Sequence, residues 1–203
     1  MFSRCIGLLM VCAVVAVVVP CFGGKNLVTN GDFENGTTGW SARGGSIEAV
    51  EDPVYDGEGA AKATDRTDTW NGIKQDMMDK MEAGKTYKIS GWATIEDGSG
   101  PVIVSIEKTD DSGTNYINIA TAQVSDGEWA QISGEFTPEV DGDLATLDLY
   151  FEGPDADVDF FVDDVAVYAA DDAADDDQVA DEDEDEDEDE NEDANDMDEE
   201  EED

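Results

Sequence analysis

From Asn26 to Tyr168 the chain is cut into short runs of β-branched and aromatic residues by clusters of Gly, Asp, Asn and Pro, and no long stretch keeps a helical apolar period. A core for such a chain has to come from stacked strands. The alternation is clearest in Ala145 to Glu152, where Leu147, Leu149 and Phe151 would face a core and Asp148, Tyr150 and Glu152 the opposite side. Likewise Ile117 and Ile119 would point inward, and Tyr116, Asn118 and Ala120 outward. Further strands are expected at Ser46 to Glu51, Thr86 to Ile95, Val102 to Lys108, Glu128 to Thr137 and Val158 to Tyr168. Turns are marked by Asp97-Gly98-Ser99-Gly100, Asp110-Asp111-Ser112-Gly113, Asp126-Gly127 and Asp141-Gly142-Asp143. Met77 to Glu82 is expected to make a single helical turn. Strands at this spacing without interleaved helices predict an all-β, two-sheet sandwich.

The first residues are Met-Phe-Ser-Arg, followed by an apolar run from Ile6 to Val19, then Pro20 and Gly23-Gly24. This is the layout of a signal peptide over 1–24, with Arg4 as its charged region and cleavage near Gly23 or Gly24, and it predicts a secreted or cell-surface protein. The apolar run is shorter than the roughly 20 residues that a spanning helix needs, so no membrane association is expected once it is removed. Pro20 stands where a lipidated Cys21 would want a small residue. Cys5, Cys12 and Cys21 all lie in this segment, so the mature chain would carry neither thiol nor disulfide. Its fold must rest on an apolar core, for which about 145 residues suffice as one domain, 25–168, and a monomer is expected.

The formal net charge is -44. Lys25 to Tyr168 carries 30 carboxylates against nine Lys and Arg, and Asp171 to Asp203 carries 24 with no base. Such a surface repels phosphate backbones and anionic lipid, which excludes nucleic acid as a partner. The excess on the domain suits either a salty medium, where screening is short-ranged, or a calcium-rich or mineral setting. From 169 to 203 the chain loses its aromatics, and Asp181 to Glu190 alternates Asp and Glu without a break. This tail is expected to be disordered, serving as a solvating segment or meeting cations or a basic protein.

No histidine is present, which removes Ser-His-Asp catalysis and the usual zinc sites, and no Gly-rich phosphate loop follows a strand. Carboxylates are abundant, but abundance does not make a glycosidase pair. The chain is expected not to be an enzyme.

The order Asn26-Leu-Val-Thr-Asn-Gly-Asp-Phe-Glu34, Gly39-Trp40, Arg66-Thr-Asp-Thr-Trp-Asn-Gly72, Tyr87 to Trp92, Gly127-Glu128-Trp129 and Tyr150 to Val167 resembles the carbohydrate-binding modules of families 4, 9 and 22. The Arg66 to Gly72 segment is most like family 22, whose members commonly recognise xylan-type chains. The resemblance implies a β-jelly roll whose concave sheet binds an extended polysaccharide, xylan or mixed-linkage β-glucan, without cutting it. A pyranose ring needs an aromatic face for its C–H patches and polar groups for its hydroxyls. By the resemblance, Trp70 and Tyr116 are stacking platforms, Arg43 and Glu152 are hydrogen-bonding groups, and Tyr150 is a secondary candidate. The bland alternatives are a partly buried loop Trp70, a surface Tyr116, and Arg43 paired with a carboxylate. Trp40, Trp92 and Trp129 are expected to be structural.

Related modules carry a structural calcium where first and last strands meet. That implies Glu34 and Asp163 as ligands, with Asp32 and Asp164 beside them; the alternative is surface acids in an acidic protein. Such modules usually accompany a hydrolase domain, and none is read in this chain. A rival reading makes the chain a secreted acidic matrix protein whose tail binds calcium, mineral or a basic partner.

Overall fold

A computed structural model of the chain describes residues 24–173. The expected signal segment and most of the acidic tail therefore lie outside the described residues. Ten strands form: β1 Ser41–Arg43, β2 Ser46–Val50, β3 Ala60–Thr64, β4 Gly72–Asp76, β5 Tyr87–Ile95, β6 Ser99–Asp110, β7 Gly113–Ser125, β8 Ala130–Phe136, β9 Thr146–Glu152 and β10 Phe160–Ala169. They assemble into two five-stranded antiparallel sheets, β1-β4-β9-β6-β7 and β2-β3-β10-β5-β8. This is the jelly-roll sandwich that the strand pattern and the family resemblance predict. A 3-10 turn, Ala170–Ala173, follows β10, and Ala170 N donates to Thr86 O at 2.8 Å. Regular structure thus runs past the expected domain end at Tyr168.

The core lies between the sheets. Leu147, Leu149 and Phe151 of β9 are fully buried against Val102, Val104 and Ile106 of β6 and against Phe160, Val162 and Val165 of β10. A Cβ added to Gly91 of β5 would come within 2.9 Å of the Phe151 ring, so the aromatic reaches across the sandwich into space that only glycine leaves. The alternation expected for β7 holds at Ile117 but not at Ala120. Val104 pairs with Ala120 while Ser105 pairs with Asn118, so Ile119 is an extra residue. That bulge shifts the phase by one, and Ala120 and Ala122 pack toward the core with Val124. Met77 to Glu82 makes the expected single turn, with Met81 N donating to Met77 O at 3.1 Å.

The two segments that bracket the domain meet. Val165 N donates to Gly31 O at 2.8 Å, Leu27 N to Val167 O at 2.9 Å, and the Asn26 side chain bonds both Val165 O and Val167 N. A Cβ at Gly31 would fall 2.0 Å from Val165 O, which explains glycine after Asn30. Trp40 is buried, its indole N–H donating to Asn30 O at 3.0 Å, and packs on Phe33. On the far side of the second sheet Tyr55 stacks on Trp92 at 4.0 Å and meets Trp129 edge-on.

The β6–β7 hairpin, which carries Tyr116, is pinned at its tip. Asp110 accepts from Asp141 N (3.0 Å), Lys108 Nζ (2.6 Å) and both the N–H and hydroxyl of Ser112. The Asp141 N–H above all, with Lys108 and Ser112, holds this carboxyl well below the usual carboxylate range. A folded pKa below the unfolded one contributes stability above the unfolded value and loses it as pH falls. Asp110→Asn is therefore expected to lower Tm at pH 7. The gap to the parent should stay full down to about pH 4, the ordinary aspartate value, and narrow below it; thermal melts across that range that show a constant gap would refute the pin.

Candidate functional site

On β9 the residues between the core positions face away from the second sheet. Asp148, Tyr150 and Glu152 therefore lie on the outer face of the first sheet, beside Ser105 and Glu107 of β6 and Tyr116 and Asn118 of β7. At the opposite edge β1 contributes Arg43, and the loop between β3 and β4 contributes Trp70. The Arg43 guanidinium lies 4.0 Å above the Tyr150 ring centre, 5.5 Å from Trp70 and 5.4 Å from Tyr116. Its Nε donates to Glu107 Oε2 at 3.4 Å and its Nη1 to Trp70 O at 2.6 Å, and Nη1 lies 3.8 Å from Glu152 Oε2. Ser105 Oγ is 3.1 Å from both Glu152 Oε1 and Asn118 Oδ1; its one hydroxyl proton serves one of them at a time. Beside them Lys74 Nζ holds Asp148 Oδ2 at 2.6 Å.

Among the described residues, the exposed large hydrophobic side chains are Trp70, at 49% relative exposure, and Tyr116, at 60%. Both flank the same arginine. Trp70 is neither a core tryptophan nor a random surface one: its loop is held by the Arg43 bond to its carbonyl, and Gly44 (φ +72) passes beside it. A Cβ at Gly44 would come within 2.2 Å of Asn71 Nδ2 and 3.3 Å of the Trp70 ring.

Arg43 is paired with carboxylates, as its bland alternative has it, and it stands at the centre of this cluster. Tyr150 corrects the expectation. It sits on the predicted face but is 1% exposed, because Arg43 lies over its ring. As it stands it supports the arginine from below, a cation–π contact worth about 0.5–2 kcal/mol depending on desolvation, and does not present a face for stacking. Glu107, Ser105, Asn118, Lys74 and Asp148 were not singled out from the sequence. The signal for Glu107 was present, since it alternates with the buried Ile106 as Glu152 does with Phe151.

The four carboxylates expected around calcium do not form one shell. Glu34 Oε1 accepts from Glu58 N (2.7 Å) and Gly59 N (3.2 Å). Asp163, buried, accepts from Tyr55 N (2.9 Å), Asp56 N (3.2 Å) and Asp164 N (2.7 Å). Asp163 thus anchors the loop that precedes β3 to the second sheet, and Glu34 ties the same loop to the segment before β1. Asp32 and Asp164 instead line a surface pocket with Asn30 and Asn35, and burial, then the charges of Asp56 and Asp32, push the Asp164 carboxyl up. Among the described residues no group of three or more acidic side chains is placed to hold a metal ion. Asp32 and Asp164 are exposed and share that pocket, whereas Asp163 is buried and Glu34 Oε1 and both Asp163 oxygens accept from backbone N–H groups.

Fold and site together define a small β-sandwich recognition module with a polar strand face between two exposed aromatics. A family profile described as "Carbohydrate binding domain" matches residues 25–157, and the chain belongs to that family. It is similar to the xylan-binding CBM22-1 domain of Paenibacillus barcinonensis Xyn10C, with 29% identity over 72% of this chain and 96% of that one at a TM-score of 0.66. The CBM22-2 domain of the same enzyme is 26% identical, covering 68% of this chain and 97% of that one, at a TM-score of 0.63. Among curated proteins it is 38% identical to endo-1,4-beta-xylanase A of Thermoanaerobacterium saccharolyticum over 70% of this chain. It is 36% identical to exoglucanase XynX of Acetivibrio thermocellus over 70% of this chain. The chain spans 13% and 14% of those two enzymes' lengths.

Burial pushes the Glu152 carboxyl up, against the lowering effects of the Ser105 hydroxyl and Arg43. With a folded pKa above the unfolded one, the ionised form costs stability above the folded pKa, and the cost disappears as the group protonates. Glu152→Gln is accordingly expected to melt no lower than the parent at pH 7, any advantage closing by about pH 4.3, the ordinary glutamate value. A variant markedly less stable at pH 7 would show that the Arg43 pairing outweighs desolvation.

Proposed function

We propose that the domain binds an extended, uncharged, β-linked polysaccharide of the xylan type on the outer face of the first sheet, without cleaving it. The observation that carries this reading is the pair of exposed aromatics, Trp70 and Tyr116, on either side of the Arg43–Glu107–Glu152 cluster. The rings offer apolar faces to successive sugars, and the cluster offers donors and acceptors to hydroxyls between them. The xylan-binding domains it resembles support the choice of chain.

The charge arrangement supports a neutral ligand. Arg43 is shared by Glu107 and Glu152, and Lys74 is held by Asp148, so both cations of this face are already engaged by carboxylates. An acid-substituted chain would bring its carboxylates to a domain with 30 of its own against nine bases. The absence of catalysis is part of the proposal: Glu107 and Glu152 share one guanidinium between them, where a glycosidase pair would leave room for the sugar, and the matching family profile is described by binding. The apolar N-terminal run supports export. Calcium is retained as a proposal at Asp32 and Asp164, where it would relieve the repulsion with Asp56; a melting temperature that is the same in calcium and in chelator would remove it.

Isothermal titration calorimetry with arabinoxylan, mixed-linkage glucan and glucuronoxylan tests the reading. Trp70→Ala and Tyr116→Ala are each expected to weaken binding of the preferred neutral chain by about tenfold or more, roughly 1.4 kcal/mol. Deleting Asp171 to Asp203 should leave that affinity unchanged. At low salt the acid-substituted chain should bind more weakly than the neutral one, and added salt should narrow the difference. Full affinity in Trp70→Ala, or no binding of any neutral β-glycan by the parent, would overturn the proposal.

A further inference from the structure

Arg66 is among the largest side chains fully buried in the domain, at 1% exposure, and its hydrogen bonds go to main-chain carbonyls. Its Nε donates to Asn71 O at 3.0 Å. Nη2 points at Pro154 O (2.9 Å), Thr69 O (3.3 Å) and Asp68 O (3.5 Å), and Nη1 donates to Asp155 O (3.0 Å) and to Val158 O. The guanidinium also lies 5.0 Å from the Phe160 ring centre, on the wall of the core. Three of these acceptors belong to the loop that carries Trp70, and three to the loop that leaves β9 next to Glu152.

The arrangement has a consequence for Trp70. The carbonyls of residues 68, 69 and 71 are held by Arg66 and that of residue 70 by Arg43, so an arginine engages every carbonyl around the exposed indole. Gly153 N donating to Thr69 O at 2.7 Å ties the same loop to the end of β9. The indole is half exposed, with Gly44 and the Arg43 guanidinium beside its ring. The backbone from which it projects is held from beneath by a planar fork of five donors that no other side chain supplies.

We propose that Arg66 is the positioning residue of the binding site, holding Trp70 in place for stacking although it touches no ligand itself. This rests on the reading of Trp70 as a platform. Preorganisation of this kind acts on affinity by removing the ordering cost from the binding step. A lysine offers three donors from a point charge and cannot span both loops.

The test is a double-mutant cycle by calorimetry and affinity electrophoresis with the preferred neutral polysaccharide, using Arg66→Lys, Trp70→Ala and the pair. Arg66→Lys, checked for a native circular-dichroism spectrum, is expected to lose about tenfold in affinity. In the Trp70→Ala background the same change should cost less than about twofold, because the group it positions is gone. A folded Arg66→Lys protein that binds like the parent overturns the proposal, as does a loss of equal size in both backgrounds, which would mark Arg66 as structural only. If Trp70→Ala alone leaves affinity intact, the platform reading falls and this one with it; if Trp70→Ala weakens binding and Arg66→Lys does not, only the role of Arg66 falls. Should Arg66→Lys fail to fold, nitrogen-15 NMR of the parent decides: an exchange-protected Arg66 Nε–H with a Trp70 indole as ordered as the strands supports the proposal, and a mobile indole above a protected Arg66 overturns it.

Discussion

Strand β9 carries the centre of the core and the floor of the site on alternate residues. Leu147, Leu149 and Phe151 have no exposure, and burying them between the sheets leaves Asp148, Tyr150 and Glu152 no choice but the opposite face. A slip of one residue would bury two carboxylates in the core and expose Leu147, Leu149 and Phe151, so register is enforced by the apolar surface that these three bury. The sandwich is therefore the reason the polar cluster is where it is. Because no described residue is a cysteine, the same apolar contacts carry the stability that a small extracellular domain often draws from disulfides.

Upon that floor the site is built from two arginines with opposite roles. Arg43 lies above Tyr150 and takes carboxylates from β6 and β9, so it stays at the surface as part of the polar face. Arg66 lies below the neighbouring loops, with carbonyl oxygens in place of carboxylates. Burial alone pulls its guanidinium toward losing charge, and the nearby charges of Asp159 and Asp155 act against that. A buried cation satisfied by main-chain oxygens holds backbone, where a surface cation holds side chains or ligand. In a domain this acidic, both cations are scarce resources, and both stand beside Trp70.

Much of this was legible in the residues. The period-two alternation placed β5, β6, β8, β9 and β10 within a few residues of their limits, and the face of β9 followed from it. Strands β1, β3 and β4 were not read. Ser41–Arg43 is three residues long, and Ala60–Thr64 is mostly alanine, a residue with little preference for strands. The phase of β7 failed beyond Ile119 because a bulge costs no distinctive residue. Tyr150 was placed on the right face but its burial was not legible, since alternation says which way a side chain points and not what lies on top of it. Arg66 was visible only as part of a motif; arginines are seldom buried, and nothing local in the sequence announces one that is.

Local order along the chain, period-two apolar residues between turn-forming clusters, was enough by itself to determine an all-β sandwich and the side of β9 that faces away from its core. The order and spacing of its aromatic and acidic motifs determined the family. Only the tertiary structure decided that Arg43 covers Tyr150, that Glu34 and Asp163 serve backbone N–H groups instead of sharing one shell with Asp32, and that Arg66 reaches two loops from beneath. The physical reason is range: strand periodicity is written between neighbours, whereas each of those contacts joins residues brought together by the closing of the two sheets or by the loops that the sheets hold.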